Sequence, residues 1–303
     1  MKILITGASG NLGISFLRLV KNRTCFYALD YNAHPSFKNY KNYFKTDITN
    51  YYNVKKIIQR IKPDLVLHLA ALTDLDMCEK NKKLASRVNI SSTANIAALC
   101  STRKIKLVFI STDNVFDGNS GNYTEFSKTN PINYYGKTKA IAESEVRKLK
   151  NHLIIRTTFF HWGEGFTAWL IDSLRMKKSV NIVDDQYCSP LFLDDLSRIL
   201  IRMIDRDFAG TYNVALDRKI SRYEFALILA KYFSFNRSLI RNVKTEELYR
   251  TITQKSYKIP RDVSLNVSRL KKAGIRIPSL DTCIKHFKET EGIYRKSPRI
   301  ILS

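Results

Sequence analysis

Short apolar runs alternate with amphipathic stretches through the first half of the chain. MKILITG (1–7) is apolar up to its glycine, and LGISFLRLVKN (12–22) repeats its apolar residues at helical spacing. CFYALD (25–30) predicts a second strand and NYFKTD (42–47) a short third one, followed by the helical pattern of VKKIIQRIK (54–62). DLVLHLAA (64–71) is a continuous apolar run, and LASRVNISSTANIAALC (84–100) predicts a long helix. KIKLVFIST (104–112) predicts the fifth strand, and a loop leads to Pro131. YGKTKAIAESEVRKL (135–149) predicts a helix and HLIIRTT (152–158) a sixth strand. Strands apolar on both faces, alternating with helices, belong to a parallel sheet covered on each side, with right-handed crossovers. The expected fold class is α/β, a Rossmann-type doubly wound parallel sheet.

Beyond about residue 160 the pattern becomes irregular. Helices are predicted near 164–177, 193–206, 221–233 and 267–274, and short strands near 180–183 and 211–214. The expected division is a Rossmann-type domain over 1–160, with parts of 184–215 returning to it, and a smaller discontinuous α/β lobe over most of 161–303. Such a lobe would cover the carboxyl edge of the sheet, where open α/β sheets bind ligands.

Composition changes this picture little. With 303 residues, 44% of them hydrophobic, the chain can bury a sizeable core. No apolar run approaches the roughly 20 residues of a membrane span, so no membrane partner is expected. The N-terminus reads as a first strand and not as a signal peptide. The five cysteines (Cys25, Cys78, Cys100, Cys188, Cys283) form no CxxC pair. They are expected to be reduced, in a cytoplasmic protein, and no metal site is expected. Lys and Arg total 51 against 27 acids, a net charge of +24, gathered in KNYKNYFK (38–45), KNKK (80–83), RKLK (147–150) and RLKK (269–272). Such a field attracts polyanions. No run has the length of a basic tail, so solvated surface charge is the preferred reading and a nucleic-acid partner is not expected.

Candidate chemistry begins at GASGNLG (7–13), directly after the first strand and opening the first helix. Gly7 suits a tight turn, Gly10 the close approach of backbone to a pyrophosphate, and Gly13 the packing of helix on strand. Ser9, Asn11 and Leu12 complete this predicted cofactor loop. Asp30 ends the second strand, where an acid binds ribose hydroxyls and repels a 2′-phosphate. That favours NAD(H) and leaves NADP(H) possible. Asp47, with Ile48 beside it, follows the third strand and either receives the adenine amino group or caps the next helix. Ala70 and Ala71 end the fourth strand with small side chains, which admit a cofactor or a closely packed helix. Tyr135 and Lys139 are four apart on one helix face. An ammonium beside a phenol is expected to lower its pKa from about 10.

Taken with GASGNLG, the Tyr135/Lys139 pair and the hydroxyl of Thr112, the chain resembles the extended short-chain dehydrogenases/reductases. Within them it is similar to the dTDP-4-dehydrorhamnose reductases and related nucleotide-sugar ketoreductases. The segments that carry this are STDNVFDG (111–118), NYYGKTK (133–139), Arg156-Thr157 and PRDVSLN (260–266). The resemblance implies a nucleotide-sugar substrate, Tyr135 as proton donor, Lys139 on the nicotinamide ribose, and Thr112 orienting the carbonyl. It places Asp113 and Asn114 on the substrate side, and it allows a homodimer through the helices 84–100 and 135–149. Sugar 4,6-dehydratases carry an Asp-Glu pair where this chain has Asp113-Asn114, which disfavours dehydration. The alternatives are a nucleotide-sugar epimerase and a non-catalytic subunit resembling the methionine adenosyltransferase beta subunit. The chain departs from the reductase pattern at Asn114, His161, Trp162, Cys188 and Leu191. Arg156 reads either as a ligand or as a core residue at a strand end.

Overall fold

The structure, a computed structural model, describes residues 1–20, 25–32, 37, 40–251 and 257–296. Its first half runs β1 (Lys2–Thr6), α1 (Asn11–Val20), β2 (Cys25–Asp30), β3 (Tyr43–Lys45), α2 (Tyr51–Ile61) and β4 (Leu65–His68). Asn50, not Asp47, caps α2, its side chain accepting from Asn53 N at 3.1 Å. Asp47 Oδ1 instead accepts from Thr49 N at 2.8 Å and closes the preceding turn. After β4 come α3 (Leu75–Lys80), α4 (Lys82–Ser86), a π-helical turn at Arg87–Ser91 and α5 (Ser92–Arg103). The uniform helix expected over 84–100 is thus widened by a π turn in its middle. The cause is tertiary: Asn89, inside that turn, accepts from Leu72 N at 2.8 Å and donates to Leu72 O at 2.9 Å. β5 (Lys106–Ile110), α6 (Tyr134–Arg147) and β6 (His152–Arg156) follow.

The second half runs β7 (Phe159–Phe160), α7 (Phe166–Arg175), β8 (Val180–Val183), β9 (Tyr187–Cys188), β10 (Leu191–Phe192), α8 (Leu193–Asp205) and β11 (Gly210–Asn213). Then come β12 (Ile220–Ser221), α9 (Arg222–Tyr232), β13 (Ile240–Val243), α10 (Thr245–Thr251), α11 (Ser268–Lys272), α12 (Leu280–Glu289) and α13 (Glu291–Lys296). The pattern did not predict α10, α12, α13, β13 or the two-residue strands β7, β9, β10 and β12. β13 exists because it pairs with β8, some sixty residues earlier, with Ile240 opposite Val180. α12 does carry helical spacing, burying Leu280, Cys283, Ile284 and Phe287.

Seven strands form the central sheet in the order β11-β6-β5-β4-β1-β2-β3, all pairs parallel. Chain direction across the sheet reverses between β1 and β4, which opens a crevice at their carboxyl ends. The register aligns Thr6 with His68 and His68 with Phe109. Two apolar layers cover the faces. One joins Phe16, Leu67, Leu196 and Phe287, and the other joins Leu4, Ile58, Phe109 and Val146. Each such fully buried side chain contributes about 1.5–3 kcal/mol. α8 lies against α1, where Asp194, fully buried, accepts from Ser15 Oγ at 2.6 Å and pairs with Arg18. Among the described residues no helix is long and apolar enough to cross a membrane.

Candidate active site

The glycine loop lies in the crevice between β1 and β4. Gly7 has φ +68°, and a Cβ there would stand 2.6 Å from Ala70 N. Gly13 allows no side chain either, since its Cβ would lie 2.5 Å from Ala8 O. Gly10 differs: its Cβ would meet only Gly7 O, at 3.3 Å, and would otherwise project into open space. That space is backed by the N-terminus of α1, whose first amides have no intrahelical carbonyl to bond. Ser9, Asn11 and Leu12 line the same turn. This cradle suits the pyrophosphate of a dinucleotide. Asp30 closes one side, with Oδ2 accepting from Ser9 N at 2.9 Å and Oδ1 from Tyr31 N at 2.7 Å. Ala70 and Ala71 are half-buried at the crevice floor, whereas Ile48 is buried in the apolar layer.

The polar end of β5 faces α6. Thr112, Asp113 and Lys139 are buried, and Tyr135 is half-buried. The Thr112 side chain sits beside the Tyr135 phenol, and its Oγ1 donates to Asp113 Oδ1 at 3.1 Å. Burial is the larger cause that pushes the phenol above its ordinary value, and the Asp113 charge adds to it. The expected lowering by Lys139 is therefore not what the structure has. The Lys139 ammonium lies 4.0 Å from the centroid of the Phe109 ring, and burial brings it down to about 7. Beneath Phe109, His68 is held neutral at about 3 by burial and by Lys139. Its two ring nitrogens bond Thr6 at 2.6 Å and Thr93 at 2.9 Å. Asp113 is pushed up to about 6 by burial, against the bonds it accepts from Thr112, Asn114 and Thr158.

Sequence reasoning missed the residues that hold this group in place. Asn133 caps α6, its Oδ1 accepting at 2.8 Å from the N–H of Gly136, the residue next to Tyr135. Asn89 donates to Thr138 Oγ1 at 3.0 Å, and Thr138 donates to Tyr135 O at 2.7 Å. The N-cap position of Asn133 was legible; the π turn that aims Asn89 was not. Glu143 and Arg156 form a buried bidentate pair at 2.9 and 2.8 Å, with the guanidinium over Phe116. Arg156 is 1% exposed and belongs to the core.

The departures on the substrate side are also placed. Leu191 is fully buried. Trp162 stacks on Phe287 at 3.9 Å and donates to its carbonyl at 2.7 Å. His161 is half-buried beside it, its Nδ1 donating to Trp162 O at 2.6 Å. Cys188 is half-buried within reach of Asp113 and Arg222, its thiol pushed up to about 12 by burial. All five cysteines are free thiols.

Comparison with known proteins agrees with this geometry. A probable low-salt glycan biosynthesis reductase of Haloferax volcanii is 28% identical over 292 residues, 93% of this chain and 95% of that protein. Methionine adenosyltransferase 2 subunit beta of Xenopus laevis is 28% identical over 90% of this chain and 83% of its own. Among solved structures, dTDP-4-dehydrorhamnose reductase of Bacillus anthracis in complex with NADP superposes with a TM-score of 0.85 at 28% identity, covering 95% of this chain and 98% of that one. The family model described as RmlD substrate binding domain matches residues 1–291, and the chain belongs to that family, an extended branch of the short-chain dehydrogenases/reductases.

Proposed function

We propose that the protein is an NAD(P)H-dependent reductase of a nucleotide-linked 4-keto-6-deoxyhexose. The observation that carries this reading is the Tyr135 phenol, beside Thr112 and on one helix with a buried Lys139, at the carboxyl edge of a sheet whose glycine loop leaves open space at Gly10. The chemistry of the bound nicotinamide would be hydride transfer to the ketone carbon. Gly7, Ser9, Gly10, Asn11, Leu12 and Gly13 form the cradle, and Ala70 and Ala71 its floor. Asp30 keeps lone pairs for ribose hydroxyls, and its charge opposes a 2′-phosphate. Preference for NAD(H) follows, although the B. anthracis relative was solved with NADP. Asp47 and Ile48 stand at the adenine side of this reading.

The raised phenol suits a proton donor. Tyr135 stays protonated across the neutral range and passes its proton to the developing alkoxide, a stronger base than a phenolate. Thr112 keeps the carbonyl oxygen within reach of that hydroxyl and stabilises its charge. Lys139, when charged, bonds the hydroxyls of the nicotinamide ribose. Asp113 accepts from a sugar hydroxyl. A homodimer across α5 and α6 belongs to the same reading, and sedimentation velocity tests it.

Oxidation of NADH and NADPH against a panel of nucleotide-linked 4-ketohexoses tests the assignment. Net coenzyme loss, abolished in Tyr135→Phe, supports it. Sugar interconversion without net loss points to an epimerase. The similarity to an adenosyltransferase beta subunit favours one further reading: tight association with a partner enzyme and no turnover.

A further inference from the structure

The amide of Asn114 is bonded at both ends inside the protein. Its Nδ2 donates to Asp113 Oδ1 at 2.9 Å and approaches Thr112 Oγ1 at 3.4 Å. Its Oδ1 accepts from Asn133 Nδ2 at 3.0 Å. Asn133 is the N-cap of α6, and its Nδ2 also reaches Lys258 O at 3.2 Å. The main chain of Asn114 touches the same helix, because a Cβ on Gly136 would collide with Asn114 O. The Asn114 side chain therefore ties the end of β5 to the cap of α6, and Asn133 carries the link on to the segment before Pro260.

We propose that Asn114 is a positioning residue, one that holds Asp113 ionised and fixes the Thr112–Asp113 strand end against the helix that carries Tyr135. An aromatic residue could not do this, since it offers no amide to either partner. Besides the Asn114 side chain, the carboxylate it serves has three donors: Thr112, Thr158 and the Asn114 main-chain N–H, which substitution of the side chain leaves in place. The titratable groups that face it are the Tyr135 phenol from α6 and the Cys188 thiol from β9, with Arg222 and Asp262 beyond Cys188. None of these is a cation in contact with Asp113. The hydrogen bonds thus set how far burial raises the acid, and the Asn114 bond, at 2.9 Å, is shorter than that of Thr112 at 3.1 Å.

The inference rests on the reductase reading for its consequence in catalysis, but its decisive test needs no substrate. Protein labelled with ¹³C at aspartate Cγ, with Asp113→Asn to assign the signal, reports the Asp113 titration directly. Asn114→Leu keeps the volume and removes the amide. Its midpoint is expected to move up by about one pH unit, because bonds to the charged form are lost. Asn114→Asp keeps an acceptor for Asn133 and sets a second carboxylate beside the first, so its midpoint is expected to move further. If the reductase reading holds, the acid limb of kcat/KM moves with these midpoints. A midpoint unchanged from wild type in Asn114→Leu overturns the proposal. Should that variant fail to fold, Asn114→Ser, which removes the amide and adds no charge, decides in its place. A wild-type protein without turnover refutes the reductase reading and leaves the titration result standing.

Discussion

Gly7 and Ala70 meet across the β1–β4 boundary so closely that a methyl group on Gly7 would stand 2.6 Å from the Ala70 nitrogen. The three glycines of the loop are consequently not equivalent. Gly7→Ala adds a left-handed backbone penalty to that collision, and Gly13→Ala drives into Ala8 O. Each is expected to destabilise the fold by about 1–3 kcal/mol or more. Gly10→Ala should leave the melting temperature nearly unchanged and weaken coenzyme binding at least tenfold, as read by fluorescence titration.

Tyr135→Phe removes the proton donor and should lower kcat by about 100-fold or more, with coenzyme affinity retained. Single-turnover measurement at saturating coenzyme separates this from a binding defect.

Lys139→Met is expected to trade activity for stability. The folded value of Lys139 is about 7, below its ordinary 10.5. The unfolded chain therefore binds the extra proton between these values, and wild-type stability rises with pH across that window. Below pH 7 the full cost of the buried charge remains. Met should raise stability there by a few kcal/mol at most, roughly, and abolish turnover. Equal denaturation midpoints at pH 6 for the two proteins would contradict this.

Asp113 behaves with the opposite sign. Its folded value is about 6 against an ordinary 3.8. The stability linked to it is complete below pH 4 and lost as pH rises through 6. Asp113→Asn should consequently match wild type near pH 4 and exceed it above pH 7 by about 2–3 kcal/mol. Urea denaturation at both pH values checks this difference.

Glu143 and Arg156 are a buried pair whose halves depend on each other. Replacing one partner alone, as in Glu143→Leu, leaves an uncompensated guanidinium and should cost about 3–5 kcal/mol. The double variant Glu143→Leu with Arg156→Met should recover most of that loss. A double variant as unstable as the single one refutes the coupling.

Asp30 offers the test of coenzyme choice. Asp30→Ala removes the charge that opposes a 2′-phosphate and the acceptor for ribose hydroxyls. The ratio of kcat/KM for NADPH over NADH is expected to rise at least tenfold. Because Ser9 N also loses its acceptor, some loss with both coenzymes should accompany the change.

The chain alone determined the parallel sheet, the glycine loop and the Tyr135/Lys139 face. These depend on period and spacing within one or two adjacent elements, where a residue's neighbours in sequence are its neighbours in space. Asp30 at a strand end and Thr112 before a turn were legible for the same reason. The tertiary structure decided what happens between elements. It set the phenol's pKa shift upward, because burial and Asp113 act on Tyr135 while Lys139 sits over Phe109. It turned Arg156 into a core residue by supplying Glu143. It widened the helix at Asn89 to reach Leu72, and it joined Asn114 to Asn133, 19 positions away, and Asn133 to Lys258, 125 away. Local periodicity records which face of an element is apolar. Desolvation and long-range hydrogen bonds exist only once those faces have closed on one another.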